Sequence, residues 1–335
     1  MANLEDDQTL IEAVRAGDRR ALAKAITLLE STLPAHRRRA DEMLDALLPA
    51  TGHSLRLGIS GVPGVGKSTF IEALGLFLIE AGHRVAVLAV DPSSGISGGS
   101  ILGDKTRMER LSVHPQAYIR PSPSSGTLGG VAEKTREALL VCEAAGYDIV
   151  IIETVGVGQS ETTVAGMTDM FILLQLPNAG DDLQAMKKGI MELADLVIIN
   201  KADLDPDAAL RAEAQITGAL RVLRFTGAPS SQHSAWQTRV LRASALKSEG
   251  LGEFWQQVKE FKGCRAASGE FAERRRKQAL TWMWDQINAR LAADFRASQA
   301  VRAILPQVLQ DVAASRVAPS SAARRLIDIF ASQGT

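Results

Sequence analysis

The spacing of hydrophobic residues changes twice along this chain of 335 residues. Within 7–48, apolar residues such as Leu10, Ile11 and Val14 recur at helical spacing among many charged residues, which predicts two or three amphipathic helices. From residue 55, short apolar runs alternate with helical segments, and after about residue 252 only helical patterns remain. The pattern therefore predicts a helical preface, a region of strands and helices, and a helical end.

Five short apolar runs predict strands: LRLGIS, VAVLAV, DIVIIE, MFILLQL and LVIINK. Strands that alternate with helices are typical of βαβ units, so we expect a mostly parallel sheet covered on both faces, with a site at the carboxyl ends of its strands. The expected fold class is α/β, flanked by helical extensions. The predicted domains are an N-terminal helical extension over 1–53, a sheet domain over 54–262 and a C-terminal helical dimerisation arm over 263–335.

Charge and cysteine content narrow the classes of function. Lys plus Arg and Asp plus Glu number 38 each, so the net charge does not support a nucleic-acid or membrane-surface partner. Cys142 and Cys264 lie far apart, without the spacing of a disulfide framework or a zinc site. The start, MANLEDDQ, lacks the features of a secretory signal, and no apolar run is long enough to span a membrane. These features predict a cytoplasmic protein.

The most specific motif follows the first predicted strand. The stretch GVPGVGKST matches G-x-x-x-x-G-K-[ST], and FIEALGLFLIEAG then supplies a helix. In such a loop, backbone N–H groups and the helix dipole hold phosphate oxygens, while Lys67 reaches the β and γ phosphates and Ser68 ligates magnesium. The setting predicts a P-loop NTPase, with the loop residues Gly61, Val62, Pro63, Gly64, Val65, Gly66, Lys67, Ser68 and Thr69.

A second motif indicates which base the loop would serve. The run LVIINK leads into Asn200-Lys201-Ala202-Asp203, the N-K-x-D pattern with which GTPases read guanine. The carboxylate of Asp203 can accept from the ring N–H and the exocyclic amine of guanine, whereas adenine leaves it unpaired. Farther on, Ser244, Ala245 and Leu246 stand where GTPases often make a backbone contact to the guanine oxygen. These motifs predict GTP and GDP as ligands.

The stretch IIETVGVGQSE, residues 151–161, ends an apolar run on a carboxylate. A lone buried charge is costly, and the place of Glu153 between the two motifs fits a Walker-B carboxylate near magnesium, with Gly156 as a candidate γ-phosphate contact. Most small GTPases carry D-x-x-G here, so E-T-V-G indicates a different branch. Asp91, which closes VAVLAV, is a second carboxylate at the same edge and precedes a glycine- and serine-rich loop.

These motifs, together with longer stretches, resemble the MeaB/ArgK GTPases, chaperones of adenosylcobalamin-dependent methylmalonyl-CoA mutase. The matching stretches are 61–69, 91–108, 120–130, 153–161 and 181–203, and the resemblance begins at AGDRRALAKAITLLES near the start of the chain. It implies a SIMIBI-class GTPase that works as a homodimer. It also implies that the nucleotide state gates the delivery of adenosylcobalamin to the mutase and the removal of damaged cofactor.

The resemblance implies roles for individual residues. Lys67 and Ser68 would serve phosphates and magnesium, while Asp91, Asp104 and Glu153 would surround the metal and its waters. The loop 91–108 would be the first switch, the segment from Glu153 the second, and PNAGDDLQAMKK the third. In the family, the third segment relays the nucleotide state to the mutase.

The third segment also has a plainer interpretation. The resemblance makes Lys187 an ion-pair partner of Glu153 in one state, but Asn178, Asp182, Ala185 and Met186 depart from the family pattern. Taken alone, the residues favour an ordinary amphipathic helix whose first acidic residues cap it and complement its dipole. The sequence leaves the strength of this relay open.

Turnover in the free protein is expected to be slow. Gln159 is a candidate for orienting the attacking water, and Arg107 for neutralising phosphate charge. Both equally suit hydrogen-bonded loop residues. No residue in the motifs is an evident arginine finger, so we expect contact with the mutase to order the switches and speed hydrolysis.

The helical end carries two patterns with open interpretations. Leu280, Trp284, Ile287 and Leu291 form one apolar stripe, which fits packing on the sheet domain and a dimer arm about equally. The basic run 274–277 lies on the same helix in a neutral protein, which favours a solvated face over a nucleic-acid patch.

Two other classes of function are weighed against the chaperone. A metal-insertion GTPase needs His or Cys clusters, whereas the histidines are scattered, and a metal titration would test it. They are His36, His53, His83, His114 and His233. A P-loop kinase of a small molecule, or an ATP-linked transport role, conflicts with N-K-A-D, and a preference for ATP over GTP would revive it.

Overall fold

The computed structural model describes residues 2–90, 108–121, 128–154, 160–178, 188–226 and 236–332. The chain divides into two compact units, Met1–Arg275 and Arg276–Thr335. The first unit contains the whole described sheet, and the described part of the second unit is helical.

Within the described residues, the strands of the first unit form one seven-stranded sheet. The order is β3-β2-β4-β1-β5-β6-β7, and every neighbouring pair is parallel. The central strands read as continuous apolar runs because both of their faces are buried. The predicted α/β fold class is confirmed. The strands are β1 Leu55–Gly61, β2 Val85–Val90, β3 Ala117–Arg120, β4 Ile149–Thr154, β5 Met170–Gln175, β6 Leu196–Ile199 and β7 Arg239–Arg242.

Helices precede, connect and follow these strands. The predicted helical preface consists of three α-helices and a short 3-10 turn at Leu48–Ala50. Asp18 begins the second of them, and its carboxylate accepts from the N–H of Ala21 over 2.7 Å. The helices are α1 Ala2–Arg15, α2 Arg19–Glu30, α3 Pro34–Leu47, α4 Lys67–Glu80, α5 Glu109–Val113, α6 Leu128–Ala144, α7 Ser160–Ala165, α8 Lys188–Leu193, α9 Pro206–Thr226, α10 Leu251–Ala267, α11 Glu270–Ala297, α12 Gln299–Ala313 and α13 Pro319–Ala331.

Each face of the sheet has its own hydrophobic core. On one face, Leu22 and Ile26 of α2 belong to the same buried cluster as Ile152 of β4. On the other face, Phe70 of α4 meets Phe254 of α10 edge to face, with 5.5 Å between ring centroids. Burial of one such side chain contributes about 1.5–3 kcal/mol, so the two cores stabilise the packing of helices on both faces of the sheet.

A network of buried ion pairs lies at the amino edge of the sheet. Arg275 binds Asp169 with two nitrogens, at 2.7 Å from Nε and 2.6 Å from Nη2. The same guanidinium donates to the carbonyls of Gly52 and Ser54, and Asp169 also accepts from the N–H of Arg56. Because the Asp169 side chain is only 1% exposed, these donors replace the interactions that water would otherwise make with its carboxylate.

Arg274 forms a second ion pair at the same edge of the sheet. Its Nη1 lies 3.2 Å from Asp195 Oδ2, and Arg265 Nη2 lies 3.1 Å from the other oxygen. The interpretation of 274–277 as a solvated face is therefore wrong for Arg274 and Arg275, although Arg276 and Lys277 are exposed. The periodicity of α11 did not show which turn meets the sheet.

A buried carboxyl on α6 gives the first unit a pH dependence. The side chain of Glu137 is 12% exposed, and burial raises its pKa from 4.5 to about 7, although Lys134 lies 3.0 Å away and opposes the shift. The folded state thus binds this proton more tightly than the unfolded state does. Stability from the protonated form is present at low pH and is lost as pH rises through about 7.

We expect Glu137→Gln to flatten this dependence. Between pH 5 and 8, the wild-type protein should lose about 2–3 kcal/mol more unfolding free energy than the variant. Chemical denaturation at both pH values measures the difference. Parallel pH curves for the two proteins would show that Glu137 titrates normally.

The second unit has a small core of its own. Val301 and Val308 of α12 are buried with Leu326 of α13. Phe295 and Phe330 add an edge-to-face contact with 5.5 Å between ring centroids. Across both units, no described helix combines the length and apolar character that a membrane crossing requires.

Candidate functional site

Four of the predicted site segments leave the same edge of the sheet. The P-loop follows β1, Glu153 is the penultimate residue of β4, Asn200 follows β6, and Ser244 lies two residues beyond β7. Because all seven strands are parallel, their carboxyl ends share one edge. The fold thus places these segments side by side although up to 183 positions separate Gly61 from Ser244.

The P-loop is tightly packed where it leaves β1 and where it enters α4. A Cβ on Gly61 would stand 2.6 Å from the carbonyl oxygen of Leu174, and a Cβ on Gly66 would stand 2.9 Å from Asn200 Nδ2. Gly66 also has a left-handed φ of +91° just before the helix begins. Both positions therefore require glycine, and the loop can bring its N–H groups close to an anion.

Lys67 lies against the loop that precedes it. Its ammonium donates to the carbonyl oxygen of Gly61 over 2.8 Å and, more weakly, to that of Val62 over 3.4 Å. The residue is 9% exposed and sits in the first turn of α4. A buried ammonium beside a helix amino end is a strong attractor for phosphate oxygens.

Ser68 and Glu153 form the side of the site that suits a magnesium ion. Ser68 Oγ donates to Glu153 Oε1 over 3.2 Å, and Glu153 is 8% exposed. A hydroxyl and a carboxylate are hard oxygen ligands, and Mg²⁺ typically takes only one or two protein groups beside phosphates and water. In the described part of the chain, no group of three or more His, Cys, Asp or Glu side chains is placed to hold a metal. The pair therefore fits Mg²⁺ held together with a nucleotide.

Asn200 joins the P-loop to the segment after β7. Its Nδ2 donates to the carbonyl oxygen of Val65 over 2.9 Å, and its Oδ1 accepts from the N–H of Ala245 over 3.1 Å. The side chain of Lys201 adds a second tie, since Nζ donates to the carbonyl oxygen of Gly64 over 2.9 Å. Asn200 and Lys201 together thus tie the P-loop to the N-K-x-D motif, and Asn200 also ties it to the segment after β7.

Asp203 is held as an ionised acceptor. The hydroxyl of Ser244 lowers the pKa of this carboxyl below its ordinary value, and Lys247 Nζ lies 3.9 Å from Oδ2. Ser244 is itself fixed by paired backbone hydrogen bonds with Glu249. Motif matching did not identify Lys247 as a site residue. The sequence signal that could have identified it is its place directly after Ser-Ala-Leu.

The remaining predicted residues fall into two sets. The exposed set lies on the surface of the site, and its side chains take no part in the hydrogen bonds described for Lys67, Ser68, Asn200 and Asp203. It comprises Val62, Pro63, Gly64, Thr69 and Leu246. The other set lies outside the described residues, so its proposed roles stay predictions, and it comprises Asp91, Asp104, Arg107, Gly156, Gln159 and Lys187.

The fold and these loops define a class of protein. An all-parallel α/β sheet whose first strand leads through G-x-x-x-x-G-K-S into a helix is the architecture of P-loop NTPases. The N-K-x-D residues, tied to that loop by Asn200, are typical of the GTPases within this class.

Comparison with known sequences gives the family. The family model described as methylmalonyl-CoA mutase-associated GTPase MeaB matches residues 22–300. The chain belongs to this family, which confirms the resemblance seen in the motifs. It is a GTPase that binds GTP and GDP, as relatives named GTPases also indicate.

Similarity to individual relatives extends over nearly the whole chain. A Caulobacter vibrioides protein named as a GTPase is 53% identical over 97% of this chain and 98% of its own length. GTPase ArgK of Escherichia coli is 46% identical over 98% of each chain. The Mus musculus methylmalonic aciduria type A homolog, mitochondrial, is 46% identical over 95% of this chain and 78% of its own length. A crystal structure described as a LAO/AO transport system kinase has a TM-score of 0.77 at 39% identity, with 97% of each chain covered.

Proposed function

We propose that this GTPase is a chaperone that binds adenosylcobalamin-dependent methylmalonyl-CoA mutase and gates the loading, protection and reactivation of its cofactor. The observation that carries the nucleotide part is the amide of Asn200, which bonds both Val65 of the P-loop and Ala245, the residue after the Ser244 that bonds Asp203. The family's description as mutase-associated supports the choice of partner.

The proposed mechanism uses the residues at the carboxyl edge. Lys67 turns from the carbonyl of Gly61 to the β and γ phosphates, while Asp203 accepts from guanine. Mg²⁺, when bound, offsets the negative charge of the phosphate oxygens. Ser68 and Glu153 would hold that ion, and their oxygens lie within hydrogen-bond distance of each other.

The role of the mutase in this proposal is to complete the site. Stabilisation of transferring phosphate by a partner is worth about 10³–10⁵ in rate in other GTPases. The free protein then hydrolyses GTP slowly, and the mutase accelerates it. In this proposal, GTP hydrolysis serves to regulate the mutase, and the chain itself converts no metabolite of the mutase reaction.

We further propose that two copies associate through α11. Leu280, Met283, Trp284, Ile287 and Leu291 are between 37% and 58% exposed. Their spacing places them along one stripe of the helix, as in helices that pair with a second helix. The resemblance to a homodimeric family makes the second copy the expected occupant of this stripe.

One experiment tests the nucleotide and partner parts together. GTP turnover is measured for the purified protein alone and with the methylmalonyl-CoA mutase of the same organism, with ATP as the control nucleotide. We expect a GTP-specific rate that rises on addition of mutase. A rate that the mutase leaves unchanged would contradict the chaperone role, and faster turnover of ATP would contradict the base assignment.

Matched variants separate base reading from dimer formation. Asp203→Asn should remove the preference for guanine, whereas Asp207→Asn, at an exposed position in the first turn of α9, should keep it.

Light scattering of the free protein should give the mass of a dimer. Trp284→Asp should reduce that mass, and Ala293→Asp, on the opposite side of α11, should not.

A further inference from the structure

A pair of buried hydroxyls joins the two strands that frame the P-loop. Thr154 Oγ1 donates to Ser60 Oγ over 2.8 Å. Both residues are buried, at 0% and 1% exposure. Ile59 faces Glu153 in the register of β1 and β4, so Ser60 and Thr154 form the next position along the same two strands.

This pair stands directly behind the phosphate and magnesium side of the site. Ser60 immediately precedes Gly61, where the P-loop begins, and Thr154 immediately follows Glu153. Successive side chains of a strand point to opposite faces, so Thr154 and Glu153 leave β4 on different sides. Glu153 extends towards Ser68 on the α4 side, and the hydroxyl pair connects the strands from the other side.

Core stability does not by itself require hydroxyls here. Replacing both partners of a buried hydrogen bond by apolar groups of similar shape is often nearly neutral. On the same face of these strands, the preceding paired position holds Gly58 and Ile152, which are apolar. A hydrogen bond differs from such a contact in being directional, so it restricts how far one strand end shifts along the other.

We propose that the Ser60–Thr154 hydrogen bond is a positioning element that holds Glu153 and the start of the P-loop in the geometry needed for magnesium-dependent nucleotide binding. The proposal rests on the GTPase activity and on the magnesium role proposed for Ser68 and Glu153. It adds two residues that contact neither nucleotide nor metal. They act through the relative position of the ends of β1 and β4.

The test measures how strongly magnesium tightens GDP binding. Affinity for a fluorescent GDP is titrated in Mg²⁺ and in EDTA, and the ratio is compared among variants. Thr154→Val keeps the shape but removes the donor, and it should lower the ratio about threefold to tenfold, the effect of losing one hydrogen bond. Thr154→Ser keeps the hydroxyl and should give the wild-type ratio.

A second variant separates positioning from stability. Thr154→Val leaves the hydroxyl of Ser60 buried without its donor, whereas the double variant with Ser60→Ala removes both groups and should regain thermal stability. The proposal expects the double variant to keep the lowered magnesium ratio. A ratio that returns to the wild-type value, or one that Thr154→Val does not change, would overturn it.

The remaining control is a buried threonine whose hydroxyl bonds within one helix rather than between two strands. Thr135 Oγ1 donates to the carbonyl of Val131 within α6, so Thr135→Val should change stability without changing the magnesium ratio. A change of the ratio in this variant as large as in Thr154→Val would also overturn the proposal. A wild-type protein whose GDP affinity ignores magnesium would overturn the magnesium role itself, which distinguishes that failure from failure of the hydroxyl pair alone.

Discussion

Replacing Lys67 with alanine should lower the rate of GTP hydrolysis at least about a hundredfold, the scale seen when one preorganised donor to a developing charge is removed. The ammonium is the cation that the P-loop itself carries, and it already lies 2.8 Å from the carbonyl of Gly61. Without it, the P-loop has no other positive side chain to stabilise the phosphate oxygens. Single-turnover hydrolysis with saturating GTP measures the loss.

The design needs a control for charge and one for folding. Lys259→Ala removes an exposed lysine from α10 and should hydrolyse GTP at the wild-type rate. Thermal unfolding shows whether the Lys67 variant is folded, because its ammonium also bonds the loop. Hydrolysis within about threefold of wild type by a folded Lys67→Ala protein would refute the assignment of this site.

Replacing Arg275 with alanine should lower the free energy of unfolding of the first unit by about 3–5 kcal/mol. The substitution leaves the carboxylate of Asp169, which is 1% exposed, buried without its cationic partner. It also removes the donors to the carbonyls of Gly52 and Ser54. The remaining donor in the described network, the N–H of Arg56, cannot neutralise the charge. Urea denaturation measures the shift.

An exposed ion pair gives the matched comparison. Arg290 and Asp294 lie 2.9 Å apart on α11, with side chains 62% and 46% exposed. Arg290→Ala should therefore cost less than about 1 kcal/mol. If both arginine variants lost the same small amount, the network at the amino edge would not be the anchor that its geometry indicates.

The P-loop and the N-K-x-D motif could be recognised in the sequence because the residues of each motif are close together along the chain. Gly61, Gly66, Lys67 and Ser68 are close in sequence, and their chemistry follows from a strand, a loop and a helix that are consecutive. Asn200 and Asp203 are equally compact. The pattern of hydrophobic residues also predicted five strands of the sheet, since buried parallel strands are continuous apolar runs.

Features that depend on distant contacts were not predictable. The edge strands β3 and β7 have only four residues each, with polar ends such as Arg120 and Arg239, so they lack an apolar run. Arg274 and Arg275 lie on a helix, and their partners Asp195 and Asp169 directly precede strands that are more than 75 positions away. The bond between Ser60 and Thr154 follows from the register of β1 against β4, which composition does not encode.

The order of strands in the sheet also determines when each strand can pair with its neighbours during synthesis. β1 is made first but lies between β4 and β5, and Gly61 and Gln175 are 114 positions apart. At about 5–20 residues per second, translation needs roughly 6–23 s to supply both neighbours. β2 and β3 can pair earlier, but they join β1 only through β4. A nascent chain that stops before residue 149 therefore holds two separate sets of apolar strands, and the synthesis of β4 is the step that unites them.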